Sequence, residues 1–478
     1  MVIYLLRITK DVWLKRDILE LLDNHTGPIY FYEVLVAFPQ ISLSTLQKKC
    51  HELQQEVSQC YPNQEVEILI NKRNGIELIR QTGNLQKIME FLLVKELPYQ
   101  IIKQFIFSNV IDTYTLCENF KISHSQLRRK TAMMNDIING YDLHMTVSHQ
   151  IKLFGNEITR RSLIISMLSL THRQFSKIHW VDNPEFYLNQ ATKIGEYLKL
   201  PQSHSYIENM ALTAFVNEQS IKRSRKILFQ QEAQDIIKAI HFPKKPYFLM
   251  HWEDNDWIYF LLTIYGASFS QIPLSVDESF KHSFLNSALY LDWKMFFETY
   301  FIPLKKEQEE QVYQDLLRQY LTLSLLKVNY VFSSAYTLST LKKIEVSYTR
   351  YYQVFSKFWN DFSSRHLLFD TIHTQVNNLI TCQSLVPLEH YLPEVTLFMD
   401  THLMRFLEQL MISRIVNGLS SKYIVRFTDN QEEADFFITT YNTTNFCSKY
   451  KESIILLEPT FSSNDLSILE KKFDAFFQ

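Results

Sequence analysis

Apolar residues recur at helical spacing over residues 12–22, where Val12, Trp13, Ile18, Leu19, Leu21 and Leu22 mark a first helix that Asn24-His25-Thr26-Gly27-Pro28 ends. Residues 29–35 read as a second helix, with Pro39 in the turn that follows. Ser42 is placed to cap a third helix, because a serine hydroxyl accepts the free N–H groups of a first helical turn. In that helix Leu46, Cys50, Leu53 and Val57 fall on one face, while Ser44, Gln47, Lys48 and His51 fall on the other. Alternating residues 66–70 and 76–79 flank Asn74-Gly75, a pairing that predicts a hairpin. Three helices and a ribbon predict a winged helix-turn-helix over residues 1–82.

The pattern then repeats. Ser42-Leu43-Ser44-Thr45-Leu46-Gln47-Lys48-Lys49 returns as Ser123-His124-Ser125-Gln126-Leu127-Arg128-Arg129-Lys130, an offset of 81 positions. Residues 92–107 supply early helical periodicity, residues 114–120 a scaffold helix, and Ser123 the next cap. Leu127, Thr131, Met134 and Ile138 face inward; Ser125, Arg128, Arg129 and Ala132 face out. Residues 143–154 alternate as a second wing that closes at Gly155-Asn156-Glu157, giving a second winged helix-turn-helix over residues 83–160.

Residues 160–393 are helical in pattern and rich in aromatics, without strong strand alternation. Pro243-Lys244-Lys245-Pro246 and Pro273 interrupt them, and two helical bundles are expected, residues 161–280 and 281–392. After Pro393 the period changes. Strands at 395–399, 423–427, 436–440 and 453–457 are interspersed with helices at 403–416 and 462–477, which predicts a small α/β domain with a parallel sheet over residues 393–478. The fold class is mainly α and multidomain.

Composition narrows the function. With 478 residues, 46% hydrophobic and 21% charged, the chain is expected to fold into several domains rather than remain disordered. Only 8 glycines and 13 prolines leave few forced turns, which favours long helices. Net charge is −2, and residues 1–160 carry 18 Lys and Arg against 17 Asp and Glu, so any attraction to nucleic acid must come from local clusters. Cys50, Cys60, Cys117, Cys382 and Cys447 are odd in number and unpaired in spacing, which points to buried thiols in a reducing compartment, with no metal site and no cofactor. No apolar stretch approaches the roughly 18 residues of a spanning helix, and residues 1–10 lack a signal-like cleavage region. A cytoplasmic protein with no membrane partner is expected.

A capped basic helix behind a tight turn is the DNA-reading device of helix-turn-helix proteins. Ser44, Gln47, Lys48 and His51, with Ser125, Arg128, Arg129 and Lys130, are the candidate contacts to double-stranded DNA. Arg and Gln suit bidentate bonds to base edges, whereas Lys mostly meets phosphate. Lys72 and Arg73, beside the first wing turn, are placed to reach the adjacent backbone. A solvated helix face can carry the same charges; the repetition of cap, face and wing is what favours DNA. The copies share an architecture but not a code.

The order of two N-terminal helix-turn-helix units, the junction Gly155-Asn156-Glu157-Ile158-Thr159-Arg160, a helical middle and an α/β tail resembles the Mga family of Gram-positive transcriptional regulators, often of virulence genes. The resemblance implies two phosphotransferase regulation domains in the middle and a tail like the IIB component of sugar phosphotransferase systems. It also implies homodimers or larger assemblies, held partly through the tail, and phosphotransferase phosphocarrier proteins as partners. By resemblance His204, at the start of an apolar helix, and His251, followed by Glu253 and Asp254, are the phosphorylation candidates; a surface or satisfied core histidine is the competing reading of each. His366 and His373 are present in the second bundle, but Asn377-Asn378 occupies the stretch where the family's histidine belongs. A IIB domain of the cysteine type carries its nucleophile just after the first strand, and here Asp400-Thr401-His402 stands there, with Cys447 in a later loop. The expected function is a DNA-binding regulator, an activator, tuned by histidine phosphorylation and oligomerisation, and not an enzyme. The alternatives are a phosphocarrier component, disfavoured by the missing cysteine, and an RNA-binding antiterminator, disfavoured because this chain opens with helices.

Overall fold

The structure, a computed structural model, describes residues 9–71, 75–267, 272, 274–327, 335–441 and 453–477. The chain is mainly helical with small sheets and forms two compact units, Met1–Asn286 with Gln314–Thr337, and Ser287–Tyr313 with Leu338–Gln478.

The first unit begins with α1 (Lys10–Asp23), α2 (Phe31–Ala37), α3 (Leu43–Cys60), β1 (Val66–Asn71) and β2 (Gly75–Arg80). Ile18, Leu19, Leu22, Val34, Leu46, Leu53, Ile68 and Ile76 are buried, so the apolar faces of the three helices and the ribbon close one core. The strands pair antiparallel, Val66 opposite Arg80 and Asn71 opposite Gly75. The helical pattern places Ile29 in the second helix, but the structure does not. Ile29 pairs antiparallel with Ile76, N–H to O in both directions at 2.8 Å, and α2 starts at Phe31. A strand partner 47 positions away supplies both hydrogen bonds and burial, which a local periodicity cannot weigh. The pairing also explains Gly75: at φ +91° its missing Cβ would overlap the Ile29 carbonyl oxygen.

The second copy comprises α4 (Gln86–Val94), α5 (Leu97–Phe107), β3 (Val110–Asp112), α6 (Thr113–Phe120), α7 (His124–Ile138), β4 (Leu143–Val147) and β5 (Gln150–Gly155). The helical stretch at 92–107 is thus two helices, broken at Lys95 and Glu96, with Pro98 in the first turn of α5, where a missing N–H costs nothing. β3 has no counterpart in the sequence pattern. It adds to the wing in the order β3-β5-β4, with Ile111 opposite Ile151. Val110 lies 81 positions after Ile29, so both copies place an extended residue before the scaffold helix. Asp112 caps α6 through Thr115 N–H at 2.8 Å, and Lys121 makes the turn into α7 at φ +51°.

Then follow α8 (Glu157–Thr171), α9 (Pro184–Tyr197), α10 (His204–Ile221), α11 (Gln231–Lys238), β6 (Ile240–His241), α12 (Asp254–Gly266), β7 (Ser275–Val276) and α13 (Glu278–Leu285). β6 and β7 form a short antiparallel pair within a region that reads as wholly helical. α10 packs on α8, α9 and α12, and Phe215 on α10 stacks edge-on against Tyr187 at 5.2 Å between ring centroids.

Next come α14 (Ala288–Tyr300), α15 (Lys306–Leu326), α16 (Ala335–Ser347), α17 (Thr349–Arg365) and α18 (Ile372–Leu385). In the second unit Trp293 and Phe297 of α14 and Phe358 of α17 are fully buried. The tail is β8 (Glu394–Asp400), α19 (Arg405–Leu419), β9 (Ile424–Thr428), β10 (Phe436–Thr439), β11 (Ile454–Leu456) and α20 (Ser463–Phe477). Its sheet is parallel throughout, ordered β9-β8-β10-β11, around Val395, Leu397, Ile415, Ile438, Leu469 and Phe473. Of the cysteines, Cys50 and Cys382 are buried, Cys60 and Cys117 only in part, and Cys447 lies outside the described residues. Among the described residues no helix is long and apolar enough to cross a membrane.

Candidate nucleic-acid interface and regulatory histidines

α3 presents Ser44, Gln47, Lys48 and His51 to solvent and buries Leu46, Cys50, Leu53 and Val57. Ser42 accepts the Thr45 N–H at 3.2 Å, and Ser44 lies 3.0 Å from the Ser42 hydroxyl, so Ser44 belongs partly to the cap. Lys49 turns away from this face to Asp11 at 2.5 Å and Glu52 at 2.7 Å. Lys48 makes no ion pair among the described residues.

α7 repeats the arrangement. Ser123 accepts the Gln126 N–H while Gln126 accepts the Ser123 N–H at 2.8 Å, a reciprocal cap. Ser125, Arg128 and Arg129 are exposed, Lys130 is half-buried, and none of these cations has a carboxylate partner among the described residues. Each helix is bolted to its wing at the same repeat position. Gln54 donates to the Ile68 carbonyl at 2.9 Å, and Asn135, 81 positions on, donates to Met145 O at 2.7 Å and accepts its N–H at 2.8 Å. His124 adds a bond to Ser148 O at 3.1 Å. The only sequence signal for these bracing residues is an amide at equal offset in both copies. Lys72 and Arg73 lie outside the described residues. Two exposed, capped helices, each held rigid by an apolar back and a wing, have the form that enters a major groove.

The junction after the second wing is a charged hub. Gly155 ends β5 at φ +131°, where a Cβ would overlap the Asp142 carbonyl oxygen, and Asn156 caps α8 through Ile158 N–H at 2.8 Å. Arg161, fully buried, binds Glu157 at 3.0 Å, Asp256 at 2.7 Å, Asn217 at 3.0 Å and the Arg225 carbonyl at 3.1 Å. The only local signal for this hub is the Glu157-to-Arg161 spacing of one helical turn; Asn217 and Asp256 come from distant helices.

The two candidate histidines each meet a buried glutamate, but they are not brought together. His204 starts α10, with a ring 72% exposed and Nε2 at 3.2 Å from Glu208, which also accepts Ser176 N–H at 2.9 Å and its hydroxyl at 2.6 Å. His251 Nε2 is 2.7 Å from Glu218 near the other end of α10; the same oxygen accepts Trp252 Nε1 at 2.8 Å and Gln190 Nε2 at 3.2 Å. Since a carboxylate accepts, Nε2 is the donor in each pair, and Nδ1 is the ring nitrogen turned away from the glutamate. The sequence-adjacent acids are not the partners: Glu253 pairs with Lys226 at 2.6 Å and Asp254 with Lys245 at 2.8 Å. Glu208 and Glu218 are ten residues apart on one helix, about 15 Å.

In the second unit His366 meets Asp292 at 3.0 Å, which also holds Arg365 at 3.2 Å. His373 is buried, its Nε2 accepts an N–H from Asn377 Nδ2 at 2.9 Å, and its pKa is pushed down to about 3 by burial. Asn378 accepts the Trp293 indole N–H at 2.6 Å. In the tail, His402 stacks on Tyr441 at 4.0 Å, Tyr441 donates to Asp400 at 2.8 Å, and no thiol follows β8.

Residues 81–168 match the family model of the Mga helix-turn-helix domain, a span that runs from α4 into α8. No curated protein matches the chain.

Proposed function

We propose, on the premise that residues 81–168 form an Mga helix-turn-helix domain, that this chain is a transcriptional regulator reading double-stranded DNA with α3 and α7. The observation that carries the reading is Arg128 and Arg129, exposed and without carboxylate partners among the described residues, on a capped helix inside the matched domain. In this reading both copies are winged helix-turn-helix units. Gln47, Arg128 and Arg129 address base edges; Lys48, His51, Lys130, Ser44 and Ser125 address phosphates. Lys72 and Arg73 extend the backbone contacts from the first wing. The protein acts as an activator, the helical middle provides two phosphotransferase regulation domains, and His204 and His251 accept phosphoryl groups from phosphocarrier proteins. The tail, IIB-like in its parallel sheet, serves association rather than catalysis.

Replacing Arg128 and Arg129 with Ala should weaken binding to a promoter fragment by about 1–3 kcal/mol, roughly 5- to 150-fold, if either makes a base contact. Lys49→Ala, at a cation already held by two acids, should leave binding near wild type. A gel-shift titration in which the double variant binds like wild type would remove α7 from the interface.

A further inference from the structure

Beside the hub lies a pocket of about 360 Å³ whose walls include Asn156, Glu157, Arg160, Arg225 and Lys226. One wall is the β5–α8 junction of the second winged copy; the other is the loop that follows α10. Three of these five side chains are cations; Lys226 pairs with Glu253 at 2.6 Å, but the partners of Arg225 and Arg160 do not balance them. Arg225 spends its donors on Asn109 Oδ1 at 2.7 Å, Phe105 O at 3.1 Å and Ser108 O at 2.9 Å, none of them a carboxylate. Arg160 donates to the Leu153 carbonyl, stands 3.8 Å from Glu157, and keeps a buried Nε with no partner among the described residues. Glu157 is already held by Arg161. Around the pocket Arg160, Arg161, Arg225 and Lys226 face Glu157, Asp256 and Glu253, so one positive charge is left over where solvent is partly excluded.

Such an excess is costly, because desolvated charge is stable only when paired. Burial, reinforced by the neighbouring Arg160, pushes the Arg225 guanidinium down to about 10. A guanidinium fork with a spare donor matches the oxygens of a phosphate group, and α8, 15 residues long, opens at the same wall with its positive end. We propose that this pocket binds a small phosphate-bearing anion, clamped between Arg160 on α8 and Arg225 and Lys226 on the loop. The bound anion supplies the missing negative charge and ties the loop to the end of the second wing. Nothing in this step depends on which residues touch DNA.

The test uses the full chain without DNA. Inorganic phosphate and glycerol 3-phosphate are titrated calorimetrically against sodium chloride at matched ionic strength. Saturable binding of either phosphate, absent with chloride, is expected. Tighter binding of glycerol 3-phosphate assigns the site to an organic monoester, and equal binding assigns it to the phosphate group alone; both support the proposal. Lys226→Glu, at an exposed position, and Arg160→Gln should each weaken binding at least tenfold, with circular dichroism confirming the fold. Phosphate behaving like chloride, or binding unchanged in Lys226→Glu, overturns it.

Discussion

His373 is a base kept from its proton. Its ring is buried in the second unit, and burial pushes its pKa down to about 3 from an ordinary 6.5. In the unfolded chain the same ring takes up a proton near pH 6.5, so the unfolded state binds more protons between 6.5 and 3. Stability present above pH 6.5 is therefore lost as pH falls through that window, at about 1.4 kcal/mol per pH unit. Replacing His373 with Gln should flatten the acid slope of the second unit's melting temperature between pH 6.5 and pH 4. An unchanged slope would mean that other groups carry it. The same burial keeps the His373 ring largely out of solvent. Little of this residue-scale chemistry was legible in the sequence. Arg161 reaches partners 56 and 95 positions away, and His251 chooses Glu218 over the adjacent Glu253. Such choices depend on which helices meet, and local spacing does not record that.

At the scale of elements the sequence was far more informative. Caps, buried faces and outward faces of α3 and α7 follow from serine placement and a period of 3.6, and the structure reproduces both faces residue by residue. The parallel strands of the tail were legible from alternation with helices. Ile29, β3 and the β6–β7 pair were not, because each is an extended segment of three residues or fewer whose only support is a distant strand. The repeat itself drifts for a visible reason. α7 has 15 residues where α3 has 18, so the second wing arrives earlier than the offset of 81 predicts. α10 carries its own consequence. With His204 at its first turn and the His251 partner Glu218 at its last, the two rings occupy separate environments. Incubated with phosphotransferase phosphocarrier proteins and labelled phosphoenolpyruvate, the chain should keep label in either single variant, His204→Ala or His251→Ala, and lose it in the double variant. Label persisting in the double variant would place the phosphorylation elsewhere.

At the scale of the whole molecule, the tail offers a surface that the described residues leave uncovered. Met404, just before α19, and Phe406, Leu407 and Leu410 on it are exposed, a cluster of large apolar side chains at helical spacing. Phe406→Glu should lower the oligomeric state seen by light scattering while leaving the parallel sheet folded, and removal of residues from Pro393 onward should do the same. A mass unchanged in both would assign association to another surface.

The two capped helices carry one more implication. Gln47 and Lys48 on one and Arg128 and Arg129 on the other are unlike side chains at equivalent positions of a single polypeptide. If both helices read bases, as proposed, one chain would distinguish one end of its binding site from the other. In that reading, a promoter fragment with the site inverted would offer each reader the other's bases, and occupancy would give the DNA a polarity.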